Sequence, residues 1–171
     1  MCPHGHTDPR WFADEEPFED PTSLLVTPDH YVTRMLYSQG VPLEALFGDR
    51  REGWRTFAAH FHLFRGTPSG AWLNHVFADV FGLTDRLDEE TADDSFDHIS
   101  DCLARPEFRP RALLDRFRIE VITTTDSPLS DLRHHHRLVA DGMTGRVLPT
   151  FRPDCVVLIR AVAVTPRRSR P

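Results

Sequence analysis

Residues 118–151 read RIEVITTTDSPLSDLRHHHRLVADGMTGRVLPTF and decide the fold. Short segments rich in β-branched residues predict a strand over 118–125 and a second strand over 145–151. The pattern of residues 129–141 predicts a helix between them, which ends before a glycine. Strand, helix and strand in this order predict two parallel strands joined by a right-handed crossover, and therefore an α/β fold.

Parallel strands bring the residues that follow them to one edge of the sheet, where α/β proteins bind ligands. The predicted edge carries Thr124, Thr125, Asp126, Phe151, Arg152, Pro153 and Asp154. Arg152 is well suited to a substrate carboxylate, because a guanidinium group pairs with a carboxylate through two hydrogen bonds. The alternative is an ion pair with Asp154 or another nearby acid.

A helical block precedes this unit. Residues 7–28 predict an irregular stretch with one short helical turn at 21–25. Apolar residues at spacings of three and four then predict a series of helices. These are 30–39, 42–47, 51–64, 70–81, a helix capped by Thr91, and 109–117.

Composition narrows the class of protein. With 171 residues and 40% hydrophobic residues, the chain predicts one domain with a buried core. The sequence lacks a long apolar run and a signal core, so we expect a cytoplasmic protein that is not in a membrane. The net charge of −6 gives no support for nucleic-acid binding, and all 20 basic residues are arginine. Three scattered cysteines predict reduced thiols rather than disulfides.

The start of the chain carries His4 and His6. In an extended backbone the side chains of residues i and i+2 point to the same face, so both imidazole rings can reach one divalent metal ion. The alternative is a polar chain terminus without a metal.

Three other groups of side chains are candidates for chemistry. Asp29 predicts a helix cap, which would place His30 and Tyr31 near a bound sugar or carbonyl; the alternative is a surface histidine beside a buried tyrosine. His134, His135 and His136 are spread over about 200° of a helix, so they cannot share one metal ion, and we expect a solvated face without function. The remaining candidates, His60 and His62, are expected in the core or at an interface.

Six segments, in this order, resemble uronate isomerase, also called glucuronate isomerase. They are His4–Pro9, Pro28–Tyr31, Arg34–Val41, Phe61–Gly66, Thr123–Pro128 and Pro149–Asp154. The resemblance covers the chain from about His4 to Val157.

The resemblance implies a partial (β/α)8 barrel of the amidohydrolase type, with a large helical insertion, about residues 21–117, after strand one. It implies the aldose–ketose isomerisation of D-glucuronate to D-fructuronate and of D-galacturonate to D-tagaturonate. His4 and His6 would hold a divalent metal ion, typically zinc. His30, Tyr31 and Arg152 would contact the uronate sugar, and Tyr31 would also relay a proton.

The resemblance also sets expectations about extent. We expect residues 1–157 to form a partial uronate isomerase domain, with the strand–helix–strand unit at 118–154. Residues 158–171 are expected to be a basic tail outside the family pattern. A complete barrel takes about 250 residues, so we expect a truncated or frame-shifted gene product. The competing expectations are an inactive, poorly folded fragment and a remnant that binds metal without turnover.

Overall fold

The computed structural model describes residues 7–151. The described residues divide into two compact units, one made of residues 7–16 together with 110–151, and one made of residues 17–109. In chain order, the helices and strands of the described residues are α1 (Pro9–Asp14), α2 (Pro21–Leu25), α3 (His30–Ser38), α4 (Glu44–Phe47), α5 (Arg50–Ala59), a 3₁₀ helix (Phe61–Phe64), α6 (Pro68–His75), a π-helical turn (Val76–Val80), α7 (Ala92–Leu103), a second 3₁₀ helix (Pro106–Phe108), α8 (Pro110–Arg116), β1 (Ile122–Asp126), α9 (Arg133–Ala140) and β2 (Val147–Phe151).

The first unit is built on a parallel strand pair. β1 and β2 are aligned from Ile122 opposite Val147 to Asp126 opposite Phe151, and α9 forms the connection between them. The predicted strand–helix–strand order and the parallel pairing are therefore confirmed. The core of the unit consists of apolar side chains from α1, α8, α9, the two strands and the segment between α9 and β2: Phe12, Ala13, Leu114, Ile122, Leu138, Met143 and Val147.

All three elements of the strand–helix–strand segment begin later than predicted, and β2 begins at Val147 rather than at residue 145. β1 begins at Ile122 rather than at residue 118, because Arg118 has a left-handed backbone (φ 53°) and its N–H donates to the carbonyl of Asp115. α9 begins at Arg133 rather than at residue 129, because Leu132 is also left-handed (φ 53°). Extended or helical geometry cannot run through a left-handed residue.

The helix α1 was not predicted, although the sequence carries its start signal. The Asp8 carboxylate accepts a hydrogen bond from the N–H of Arg10 (2.9 Å), and Pro9 occupies the first helical position. An acidic cap followed by proline is a common helix start. The expectation of an irregular stretch with only the 21–25 turn was therefore wrong for residues 9–14, and right for α2 at Pro21–Leu25.

The second unit is helical and has an aromatic core. The Trp54 indole is fully buried and lies 5.4 Å from the Phe57 ring and 6.0 Å from the Phe77 ring, centroid to centroid. Its Nε1–H donates to the Ser95 hydroxyl at 3.0 Å, and that hydroxyl donates to the carbonyl of Ala92 at 2.8 Å. The one polar atom of the indole is therefore satisfied inside the core, as a buried donor requires.

Two predicted helices of this unit change geometry part-way. The predicted 51–64 helix is α5 followed by the 3₁₀ helix Phe61–Phe64, and the predicted 70–81 helix is α6 followed by the π-helical turn.

The predicted Thr91 cap stands at the right place but does not cap α7 with its side chain. Its hydroxyl instead donates to the carbonyl of Arg86 and accepts from the N–H of Asp88. Within residues 7–151, no helix is both long and apolar enough to cross a lipid bilayer.

Candidate functional site

A polar cleft of about 600 Å³ lies in the first unit, at the carboxyl end of β1 and the amino end of α9. Its lining combines carboxylates, hydroxyls and cations: Thr7, Asp8, Pro9, Arg10, Thr125, Asp126, Ser127, Ser130, Asp131, Arg133 and His134. The carboxyl end of a parallel strand is the usual place for a ligand site in α/β proteins. The sequence-based expectation for Thr125 and Asp126 is met, because both lie on this cleft.

The lining suits a ligand with several hydroxyl groups and one negative charge. Asp8 is committed to Arg10, whose Nε and Nη2 donate to one carboxylate oxygen at 2.8 and 2.6 Å. Burial raises the pKa of Asp8, but the hydrogen bonds from Arg10 outweigh it and leave that pKa below its ordinary value. Among residues 7–151, by contrast, the Arg133 guanidinium has no carboxylate partner; its Nε lies 3.2 Å from His134 Nε2.

Behind the cleft lies a buried polar cluster made of Thr124, Asp126 and His135. Thr124 is fully buried, and its hydroxyl donates to Asp126 Oδ2 at 2.6 Å. His135 is 7% exposed, and its Nε2 lies 2.9 Å from the Thr124 oxygen and 3.7 Å from Asp126 Oδ2. The Thr124 hydroxyl has one hydrogen, and it donates this hydrogen to the Asp126 carboxylate, which is its strongest acceptor. The hydrogen in the contact between Thr124 and His135 must therefore come from His135, so His135 Nε2 is the donor to Thr124.

The charge state of His135 follows from its surroundings. Burial lowers the pKa of His135, the negative charge of Asp126 raises it, and the adjacent His134 and His136 lower it further, with a net decrease. The ring is therefore neutral at pH 7, with its hydrogen on Nε2. His135 Nδ1 is buried and has no hydrogen-bond partner among the described residues.

This cluster corrects the expectation for the three histidines. We expected His134, His135 and His136 to form a solvated face without function, whereas His135 is buried and hydrogen-bonded. His136 is exposed, as expected. The sequence did carry a signal, because His135 stands three residues before the buried Leu138 and so lies on the same, inward face of α9.

His30 and Tyr31 begin α3 in the second unit. The Asp29 carboxylate caps this helix by accepting the N–H groups of Tyr31 (2.8 Å) and Val32 (3.4 Å), which confirms the predicted cap. The His30 and Tyr31 ring centroids are 4.2 Å apart, and Tyr31 is 65% exposed. The alternative of a buried tyrosine was therefore wrong, and both rings are open to a ligand.

The other predicted site residues, His4, His6 and Arg152, lie outside the described residues. Within residues 7–151 no three His, Cys, Asp or Glu side chains converge as a metal site requires.

His60 is partly buried, and its Nδ1 lies 2.8 Å from the carbonyl of Thr56. His62 is exposed, and its Nδ1 lies 3.1 Å from the carbonyl of Ala59. Cys102 is buried and forms no disulfide with another described residue, in line with the prediction of reduced cysteines, and Cys2 and Cys155 lie outside the described residues.

Fold and cleft together define an α/β protein with a polar ligand site where its parallel strands end. Comparison with known proteins then identifies the family. The family model described as glucuronate isomerase matches residues 2–164, so the chain belongs to this family.

Two relatives that the chain resembles are described as uronate isomerases. A uronate isomerase of Rhizorhabdus wittichii is 64% identical over 161 residues, which cover 92% of this chain and 34% of that protein. A uronate isomerase of Phenylobacterium zucineum is 56% identical and covers 92% of this chain and 35% of that protein. The chain thus spans about a third of the length of the relatives it matches.

Two solved structures share the fold. The crystal structure of glucuronate isomerase from Caulobacter crescentus superposes with a TM-score of 0.88 at 55% identity, over 91% of this chain and 34% of that one. The uronate isomerase of Thermotoga maritima superposes with a TM-score of 0.81 at 31% identity, over 90% of this chain and 34% of that one.

Proposed function

We propose that this chain takes part in the isomerisation of a hexuronate between its aldose and ketose forms: D-glucuronate to D-fructuronate, and D-galacturonate to D-tagaturonate. The observation that carries the proposal is the family match over residues 2–164. The composition of the cleft agrees with it, since hydroxyl, carboxylate and guanidinium groups are the partners that a sugar acid needs.

The fold context of the proposal is a (β/α)8 barrel. A parallel strand pair joined by a helix, with polar residues at the carboxyl ends of the strands, is the repeating unit of such a barrel. In this proposal β1, α9 and β2 are part of the barrel, and the helical unit of residues 17–109 is an insertion into it.

The proposed roles of the side chains follow from their chemistry. Arg152 pairs with the sugar carboxylate. His30 and Tyr31 contact the sugar, and the Tyr31 hydroxyl donates a hydrogen bond to an oxygen at the reacting carbons or passes a proton between them. The exposure of Tyr31 supports this role, because its phenol is free to meet a ligand.

His4 and His6 are the residues that we propose for a divalent metal ion, with zinc as the candidate because it prefers imidazole nitrogen. When bound, such an ion polarises a carbonyl or hydroxyl oxygen. The roles proposed for the other side chains do not depend on it.

The test is an isomerase assay on the protein expressed from its complete gene. D-Glucuronate is supplied with and without zinc, and formation of the ketose is followed by ¹³C NMR. We expect conversion that a chelator suppresses. A folded protein that leaves D-glucuronate and D-galacturonate unchanged in the presence of metal contradicts the proposal.

A further inference from the structure

We propose that Asp126 binds a sugar hydroxyl in the cleft and that Thr124 and His135 are its positioning residues, joined as a relay from His135 Nε2 through the Thr124 hydroxyl to Asp126 Oδ2. The inference rests on the proposed function for the identity of the ligand. The relay itself is a property of the described residues and can be tested separately.

The two carboxylate oxygens of Asp126 have different surroundings. Oδ2 of Asp126 accepts the Thr124 hydroxyl at 2.6 Å and lies 3.7 Å from His135 Nε2. Among residues 7–151, no hydrogen bond to Oδ1 is found. The side chain lines the cleft although it is only 10% exposed. One oxygen is therefore fixed by the protein, and the other is left for a ligand.

Within the described part of the chain, the buried Asp126 carboxylate has fewer hydrogen-bond donors than its burial requires. A carboxylate that is nine-tenths buried loses most of its hydration, which is unfavourable unless hydrogen bonds replace it. Among the described residues only one short hydrogen bond, from Thr124, compensates the Asp126 side chain, while Oδ1 retains unused acceptor capacity. A hydroxyl group of a sugar supplies the missing donor.

The relay needs a histidine because the Thr124 hydroxyl must be oriented towards Asp126. The Thr124 hydroxyl has a second acceptor within reach, the carbonyl of Leu148 at 3.3 Å. A donor on the other side of the Thr124 oxygen leaves its hydrogen free to point at Asp126, and His135 Nε2–H at 2.9 Å is that donor. Burial lowers the pKa of His135 and keeps the ring neutral, so it donates this hydrogen bond without adding a positive charge that would compete with the ligand for Asp126.

Two pairs of variants separate the relay from mere packing. Thr124→Val and His135→Leu remove a hydrogen-bonding group and retain most of the volume. Thr124→Ser keeps the hydroxyl, and His135→Gln places an amide N–H near the position of Nε2. His136→Gln is the matched control, because His136 is the exposed neighbour on the same helix.

The kinetic measurement uses the protein expressed from its complete gene, with D-glucuronate as substrate. A hydrogen bond to a charged group contributes about 1.5–3 kcal/mol, so we expect Asp126→Ala to lower kcat/KM by about 10- to 150-fold. Thr124→Val and His135→Leu should lower it by about 10-fold, mainly in kcat, because the carboxylate is still present but poorly oriented. Thr124→Ser, His135→Gln and His136→Gln should stay within about threefold of the wild type. Equal kcat/KM for Thr124→Val, His135→Leu and the wild type overturns the relay.

The spectroscopic measurement does not require activity. Long-range ¹H–¹⁵N NMR of the histidine rings distinguishes the two neutral tautomers and the charged form. We expect His135 at pH 7 as the neutral Nε2–H tautomer, and a changed Nε2 signal in Thr124→Val but not in Thr124→Ser. A charged ring or the Nδ1–H tautomer overturns the relay even in an active isomerase. The expected tautomer in a protein without isomerase activity supports the relay and refutes only the proposed function. If Thr124→Val does not fold, the comparison of His135→Gln with His135→Leu decides by the same kinetic criterion.

Discussion

Gly70→Ala should destabilise the helical unit strongly, although alanine favours helices. A Cβ built at Gly70 lies 2.1 Å from the carbonyl oxygen of Phe64, and these atoms must separate by about 0.9 Å to reach the 3.0 Å limit of real contacts. The Phe64 oxygen cannot yield easily, because it accepts the N–H of Thr67 at 3.1 Å and the hydroxyl of Thr67 at 2.8 Å.

The magnitude follows from three contributions. Overpacking costs about 1–3 kcal/mol, and loss of the cap bond from Gly70 N–H to the Thr67 hydroxyl costs about 0.5–2 kcal/mol. The better helix propensity of alanine offsets about 1 kcal/mol of this loss of stability. Together these contributions lower the free energy of unfolding by about 0.5–4 kcal/mol, with a midpoint of about 2 kcal/mol. The midpoint corresponds to a fall in Tm of about 4–8 °C for a chain of this size.

The assay is urea unfolding followed by tryptophan fluorescence, since Trp54 is fully buried in the same unit. Gly66→Ala is the matched control: its Cβ meets nothing within 4 Å, but its backbone is left-handed (φ 76°), so we expect a loss of only about 1 kcal/mol. A Gly70→Ala protein as stable as the wild type, or more stable than Gly66→Ala, refutes the steric reasoning. The Phe61–Phe64 helix also packs against α3, which carries Tyr31, so a displaced Phe64 should reduce activity as well.

Three further predictions follow from the described contacts. Burial lowers the pKa of His135 below its unfolded value of about 6.5, so the unfolded chain takes up the proton first; stability should be complete above about pH 6.5 and fall as the pH drops towards the folded pKa. His135→Gln should flatten this loss in urea titrations across that range, and an unchanged slope contradicts the assignment. Ser95→Ala leaves the Trp54 Nε1–H unsatisfied in the core, so the free energy of unfolding should fall by about 1–3 kcal/mol, and a loss below 0.5 kcal/mol by thermal denaturation counts against that bond. Tyr31→Phe should leave Tm unchanged, because its phenol is exposed, and should lower kcat about 100-fold or more, because the proposed function assigns acid–base chemistry to that phenol. Tyr37→Phe, on the same helix and 63% exposed, should leave kcat unchanged, and equal effects of the two substitutions on kcat argue against a special role for Tyr31.

The predictable part of the fold is the part governed by local pattern. The β-branched run before Asp126 and the glycine after α9 were sufficient for the strand–helix–strand unit, since strand propensity and helix stops act over a few residues. The exact starts of β1 and α9 were not predictable, because they depend on left-handed geometry at Arg118 and Leu132, which these residue types rarely adopt.

The position of the candidate site was predictable from the sequence, but the hydrogen bonds within it were not. Asp126 was expected at the rim because a strand ends there, which depends on topology alone. The buried position of His135 was missed because three adjacent histidines on a helix suggest a polar face. In the structure, the side of α9 that faces the core carries the middle histidine. Its pairing with Thr124, eleven residues earlier in the chain, becomes visible only when helix and strand are packed together.

The most direct test of family function is a chimera in which this chain's matched segment replaces the corresponding 161 residues of the Rhizorhabdus wittichii uronate isomerase, which are 64% identical to it. The recipient supplies the rest of the protein, so only the residues of this chain are examined. We predict aldose-to-ketose conversion of D-glucuronate within about tenfold of the parent enzyme, and a kcat/KM that Asp126→Ala in the graft lowers by about 10- to 150-fold. A chimera with the parent's circular dichroism spectrum and Tm but no detectable ketose contradicts the assignment of uronate isomerase function to this chain.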